Sequence, residues 1–442
     1  MKHYLFCLRH FNDIDNITPA IHFLLERRPV RVTVLIYSLD YDYRNDPSLS
    51  FLQDTWADRL RVVWIGTLAG YREPPIKKPE KPSWHARQWK RIGRRVQYAL
   101  GRPPEKDSQD WHASREGSAP VIGSWLKSLF IDWGKPAGVI FDQNRTSVLN
   151  GLLLALRDNA VKRIISLPVS PWTNINVLRQ TDFVDLDASV FWKKHDYSGF
   201  DRIGQVDPYY SENLRIFFDL LGHASPFHGR EEILGSLRYI EEWLAIRQRS
   251  ILGLTNGHDL PRKLPSKKRL LVIPSHRKNN SFWDEYLRTL RFLAQFEEYE
   301  ILVKPHTRYG DGYEDLPENI SLINDRDTSA LIEWSEIILF WSSSVALEGF
   351  QKRRTMINLD YLNGNRSIFT ELNAGYLCRC RDDLLAVLTS EKELEEAALA
   401  SRQGRESLRR EVVQGGKGPK VIERYLEFIE DEQYPNRNAG TY

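Results

Sequence analysis

Twice along the chain, short runs rich in β-branched and other apolar residues alternate with stretches whose apolar residues recur every three or four positions. This alternation constrains the fold more than any other feature. Strands separated by helices pair in parallel and are covered on both faces. In the first half the strand-like runs are HYLFCLR (3–9), VRVTVLIY (30–37), LRVVWI (60–65), AGVIFD (137–142) and RIISLPV (163–169), with shorter ones at 189–192 and 202–203. Helical patterns fall at 17–27, about 50–58 and about 148–157, then across 211–254, where 231–254 is the longest. The segment NGHDLPRKLPSKK (256–268) combines Gly, Pro and charge and reads as a linker. A second series follows: strands at 269–274, 300–304, 336–341 and 355–361, with helices at 282–296, 328–334 and 345–351. The expected fold is therefore α/β, with two facing Rossmann-like domains and an interdomain cleft lined by the carboxyl ends of their strands. The expected boundaries are 1–255, 269–415 and a terminal helix and tail over 416–442. In that helix Val421, Ile422, Tyr425, Leu426 and Ile429 share one side and should dock on the body.

At 442 residues the chain is long enough for two cores. Its longest apolar stretches fall far short of the roughly 20 residues of a membrane helix. Arg9, His10 and Asp13 stand where a signal peptide would keep an apolar core, so the start reads as a first strand. Of three cysteines, Cys378 and Cys380 would share a strand face, but no second pair completes a zinc site. A reducing cytoplasm fits this usage. The net charge of +3 conceals a basic insertion at about 72–118: residues 72–106 hold eleven Lys/Arg against three Glu. Within it, 84–101 would as a helix group Trp89, Ile92, Val96 and Leu100 on one face, ringed by Lys90, Arg91, Arg94 and Arg95. That pattern suits an anionic membrane surface and predicts a peripheral position on its inner face; a solvated insertion also accounts for it. No nucleic-acid-binding module accompanies the charge.

Three strand ends carry the candidate chemistry. In ILFWSSSVALEGF (338–350) a buried strand delivers Ser342, Ser343 and Ser344 onto a helix start, where hydroxyls and free N–H groups favour an anion. Glu348, one turn on, could accept the hydroxyls of a ribose. Serines are also favoured caps, and that role alone would explain them. In KPHTRYGDG (304–312), Lys304, His306 and Arg308 stand where ligands bind in such sheets, suited to a phosphate or a developing diphosphate charge. His276 and Arg277 follow the first strand of the second series and form a third anion-binding corner. The acceptor side offers Asp13, His10 and Asp142 as bases for an acceptor hydroxyl, each also a natural cap or loop residue. Trp172, in LPVSPWTN (167–174), could stack on a sugar ring or fill the core.

The order strand, Lys-Pro-His-Thr, strand, Ser-Ser-Ser-x₃-Glu resembles the carboxyl-terminal half of two-domain GT-B nucleotide-sugar glycosyltransferases. It is nearest to the capsule sialyl- and Kdo-transferases and the CDP-glycerol glycerophosphotransferases. The resemblance covers about 270–365, with Thr307 where proline is usual. Further upstream, IGQVDPY (203–209) resembles the turn that ends the first domain. It implies that His306 meets the donor phosphate and that Ser342, Ser343 and Ser344 bind the same phosphates or the nucleotide. The implied reaction moves a glycosyl or polyol-phosphate group from a CMP-, CDP- or UDP-linked donor to a surface glycan or lipid-linked acceptor. No resident cofactor is implied, and no metal is called for where Lys304, His306 and the helix start could supply the positive field. SHRKNN (275–280) is similar to the His-Arg-Arg-Glu-Asn segment of UDP-N-acetylglucosamine 2-epimerases, but Asn279 stands at the glutamate and SSSVALEG at a Ser-Gly-Gly run. An NDP-sugar 2-epimerase and a non-catalytic nucleotide-sugar-binding subunit are the alternatives.

Overall fold

The computed structural model describes residues 1–38, 41, 43–68, 119–142, 147–168, 170–175, 199–209, 211–212, 215, 229–251, 266–275, 281–306, 313, 316–324 and 326–431. The strand expected at 189–192, the basic segment 84–101 and most of the linker lie outside them.

The first sheet contains β1 (Lys2–Leu8), β2 (Val30–Ile36), β3 (Leu60–Trp64), β4 (Gly138–Asp142), β5 (Ile164–Leu167), β6 (Arg202–Gln205) and β7 (Glu231–Ile233), ordered β3-β2-β1-β4-β5-β6-β7. The second contains β8 (Lys268–Ile273), β9 (Tyr299–Val303), β10 (Ile320–Leu322), β11 (Ile337–Phe340), β12 (Thr355–Leu359) and β13 (Tyr376–Cys378), ordered β10-β9-β8-β11-β12-β13. Every pairing is parallel, from Lys2↔Val30 in one sheet to Phe340↔Ile273 in the other. These are two Rossmann-like sheets, each with the strand order reversing between its first and fourth strands, which lie side by side.

Both faces of each sheet are covered, which explains why the strand sequences are almost continuously apolar. Successive residues of β1 point to opposite sides: Tyr4, Phe6 and Leu8 join one core, Leu5 and Cys7 another. In β8, Leu271 and Ile273 join the same core as Tyr4, while Leu270 and Val272 face a third cluster. One apolar core therefore runs through both domains.

The chain crosses back at its end. The helix Val421–Glu430 lies against the first domain, its buried side formed by Val421, Ile422, Tyr425, Leu426, Phe428 and Ile429. Arg28 meets Glu430 at 2.8 Å, Arg27 pairs with Glu423, and Arg202 sits 4.3 Å over the Phe428 ring. The crossing requires glycine. Gly235 has φ +88°, and a Cβ there would lie 2.4 Å from the Val413 carbonyl oxygen.

Two sequence expectations change. The run 231–254 is not one helix: Glu231–Ile233 adds an edge strand to β6, Gly235 breaks the chain direction, and the α-helix is only Glu241–Ile246. The first helix begins at Phe11 rather than 17, with Pro19 inside it.

At the amino end of β1, His3 is held in a continuous chain of hydrogen bonds. Arg61 Nε donates to Thr33 Oγ1 (2.9 Å), Thr33 donates to His3 Nε2 (2.9 Å), and His3 Nδ1 donates to the Gly134 carbonyl (3.0 Å). A neutral imidazole with its proton on Nδ1 satisfies all three. Burial pushes its pKa down to about 4; the Gly134 bond opposes the shift, and the Arg61 and Arg31 cations add to it. The folded pKa lies below the ordinary 6.5. Between these values the unfolded chain takes a proton that folded His3 refuses, so this contribution is present above pH 6.5 and is lost as pH falls to 4. His3→Gln is expected to flatten the fall in urea midpoint across that window relative to wild type.

Candidate functional site

The carboxyl ends of the two sheets face each other, as contacts from three segments show. The loop after β5 reaches the residues following β11, where Thr173 Oγ1 donates to the Ser342 carbonyl at 2.9 Å. The same loop pairs with the loop after β12: Ile175 N donates to Arg366 O (2.8 Å) and Ile368 N to Thr173 O (2.9 Å). The helix after β1 contributes Asp15, which meets Arg238 and Arg247 of the connecting segment. In open parallel sheets this is where ligands bind, at the point where strand order reverses.

Ser342, Ser343 and Ser344 follow β11 directly, but they do not act alike. Ser342 is buried and its φ of +41° lies in the left-handed region, a strain of about 1–3 kcal/mol for a non-glycine residue. Its surroundings fix that conformation. Its hydroxyl donates to Asn174 Oδ1 (2.6 Å) and accepts from Asn363 Nδ2 (2.6 Å), and its carbonyl accepts from Thr173 and from Ser275 Oγ at 3.4 Å. A phosphate would find this hydroxyl already engaged, which corrects the expectation that Ser342 is a ligand. Ser343 and Ser344 are half-buried at the mouth of the same turn. Behind them Trp341 is fully buried, its indole N–H donating to Ser281 Oγ at 3.1 Å.

Glu348 is also placed differently from the sequence expectation. On the short helix Ala346–Gln351 its carboxylate points inward, buried, and its Oε2 accepts from Arg247 Nη1 (3.2 Å) and Ser329 Oγ (2.8 Å). With its side chain 2% exposed, it does not stand open to a ribose. The cause is Arg247, which pairs with carboxylates from both domains: Glu348, Asp327 at 3.2 Å and Asp15 at 3.7 Å. Arg238 takes the other oxygen of Asp15 at 2.6 Å. Burial alone would lower the pKa of Arg247, but Asp15, Asp327 and Glu348 outweigh it and raise it. Burial raises the Tyr239 phenol beside this cluster, against the pull of Arg238. None of Asp15, Arg238, Arg247, Asp327 or Ser329 was singled out by motif. The available signal was two arginines nine positions apart, flanking Glu241 and Glu242 in the largely apolar run LRYIEEWLAIR.

On the acceptor side, His10, Asp13 and Asp142 stand at the ends of β1 and β4, flanking the switch point. Asp13 is fully buried, and its Oδ2 accepts the backbone N–H groups of Arg9 and His10, each at 3.2 Å. It caps the helix. Asp142 is also fully buried and accepts from Tyr37 Oη at 3.2 Å, so an acceptor hydroxyl cannot reach it in this arrangement. His10 is the accessible group, with 23% of its side chain exposed and its Nδ1 3.6 Å from Asp13 Oδ2. Its Nε2 lies 2.5 Å from Arg9 Nη2. Because a guanidinium only donates, that nitrogen carries the lone pair.

The corner after β9 is only partly as expected. Lys304 is buried, and its ammonium donates to the Asn324 carbonyl at 2.8 Å, on the β10 side and away from β11. It ties the β9 and β10 ends together and is not presented to the serine turn. His306 is half-buried at the end of the same strand. His276, Arg277 and Arg308 lie outside the described residues. Trp172 is half-buried beside Thr173.

By sequence the chain matches no family model and no curated protein. In three dimensions it is similar to solved structures over nearly its whole length. These include S. aureus MnaA in complex with UDP, at 12% identity and TM-score 0.54, covering 97% of this chain and 96% of that one. Arabidopsis thaliana UGT89C1 complexed with UDP matches at 13% identity and TM-score 0.55, covering 97% and 100%. The wall teichoic acid polymerase TagF, soaked with CDPG, matches at 13% identity and TM-score 0.52, covering 97% and 88%. The fold is that of a protein with two facing Rossmann-like domains. More narrowly, the chain has the GT-B fold, to which these similar structures also belong.

Truncating one member of a buried ion cluster leaves the others uncompensated, at a cost of about 3–5 kcal/mol. Arg247→Met is expected to destabilise by that order in guanidinium unfolding. Arg247→Met combined with Glu348→Leu should recover part of the loss, because the second change removes one of the stranded charges.

Proposed function

We propose that the chain transfers a glycosyl or polyol-phosphate group from a nucleotide-activated donor to an acceptor hydroxyl on a surface glycan or lipid-linked carrier. What supports this reading is that partly exposed polar groups stand at the switch points of two sheets whose carboxyl ends face each other. Ser343 and Ser344 lie half-buried at the switch point of the second sheet, and His10 is the accessible imidazole at the switch point of the first. The serine hydroxyls, with His306 and the loop after β9, would take up the donor phosphate and its developing charge as the bond to the transferred group breaks. His10 would receive the acceptor proton on Nε2 once the incoming hydroxyl replaces Arg9 there, and Asp13 would steady the resulting imidazolium from the Nδ1 side. Asn279 and the run SSSVALEG support transfer over epimerisation. Similar folds solved with UDP, UDP-GlcNAc and CDPG support a nucleotide diphosphate ester as the donor class.

The basic segment 84–101 would hold the protein at an anionic membrane where lipid-linked acceptors reside. Among the described residues no helix is long and apolar enough to cross a membrane.

The donor is identified by a thermal-shift panel of CMP, CDP, UDP and GDP. At a hundred times its dissociation constant a bound nucleotide adds about 2.7 kcal/mol to the folded state. Turnover with the corresponding donor and a glycan acceptor is then expected. Conversion of UDP-GlcNAc without an acceptor would replace transfer by epimerisation, and nucleotide binding without turnover would make the chain a binding subunit. His10→Ala should lower kcat by about 10²–10⁴ with nucleotide affinity unchanged. Ser343→Ala and His306→Ala should instead impair donor use while circular dichroism stays at wild type.

A further inference from the structure

The loop following β5 makes contacts that neither the donor nor the acceptor half explains alone. Residues Thr173 and Asn174 belong to the first domain, yet both are buried against the second. Asn174 bridges antiparallel to Ser367, and the flanking bonds Ile175 N→Arg366 O and Ile368 N→Thr173 O make this a short interdomain β-pairing. Its side chains converge on one residue. Asn174 Oδ1 accepts the Ser342 hydroxyl at 2.6 Å, and Thr173 Oγ1 donates to the Ser342 carbonyl at 2.9 Å. Among the described residues of the second domain, Asn363 and Ser275 touch the same polar atoms.

Ser342 is the residue whose left-handed backbone sets the direction of the next two. A non-glycine residue stays at φ +41° only where its surroundings hold it, and half of that holding comes from the other domain. We infer that Thr173 and Asn174 are positioning residues for the donor corner: they fasten the two domains together and thereby set the geometry of Ser343 and Ser344. The donor turn is then complete only when the first domain is seated on it. This rests on the reading of Ser343 and Ser344 as phosphate-binding groups. By linkage, a nucleotide bound there must strengthen the interdomain pairing by the same factor by which the pairing strengthens its binding.

The test uses the full chain, with amide hydrogen exchange and calorimetry of the nucleotide selected by the thermal-shift panel. In wild type, saturating nucleotide is expected to slow exchange at 366–368 as well as at 342–344. Asn174→Ala and the near-isosteric Thr173→Val should each weaken nucleotide binding about tenfold or more and speed exchange in both segments. The urea midpoint should remain close to wild type, and saturating nucleotide should restore protection in the variants. Wild-type affinity and wild-type protection in both variants would overturn the inference. So would faster exchange at 366–368 with no change at 342–344, since the pairing would then not order the serine turn. If wild type binds no nucleotide, the donor reading fails; the exchange of 342–344 in Asn174→Ala then decides separately whether the first domain orders that turn.

Discussion

Arg247 holds a position that neither domain could stabilise alone. Its guanidinium is nearly buried, and such a group is tolerated away from water only when carboxylates surround it. They come from opposite sides: Asp15 from the first helix, Asp327 and Glu348 from the second domain. Separating the domains along this contact would strand buried charge on both sides. The cluster therefore makes their mutual placement specific, where the shared apolar core below it supplies the non-directional attraction.

The same cluster reaches toward both halves of the cleft. Asp15 lies on the helix whose first turn carries His10 and Asp13, and Glu348 on the helix that begins just after Ser344. Carboxylates that a motif reading would hand to a ligand are instead engaged by protein partners: Asp13 by backbone N–H groups, Asp142 by Tyr37, and Glu348 by Arg247 and Ser329. Among the described residues at the two switch points, His10, Ser343, Ser344 and His306 are partly exposed. The chemistry proposed above uses these groups.

Much of the architecture could be read in advance because parallel sheets covered on both faces leave a strong one-dimensional trace. The runs at 3–9, 30–37 and 269–274 are nearly unbroken apolar strands, found at Lys2–Leu8, Val30–Ile36 and Lys268–Ile273. Short edge strands leave little trace. Ile320–Leu322 and Tyr376–Cys378 are three residues each, too short for a period to emerge, and Glu231–Ile233 was absorbed into a helical pattern that Gly235 interrupts.

The sequence by itself determined the alternation of strands and helices and which loops stand at strand ends, since both follow from local pattern and connection length; the strand order of each sheet came from the tertiary structure. The resemblance to GT-B transferases drew on the same local order. Only the tertiary structure decided which partners the polar groups in those loops take. The partners of Ser342 lie at Asn174 and Asn363, and the partner of Glu348 at Arg247, all distant in sequence. Hydrogen-bonding capacity is a property of a residue, but its use depends on what the rest of the chain brings within about 3 Å.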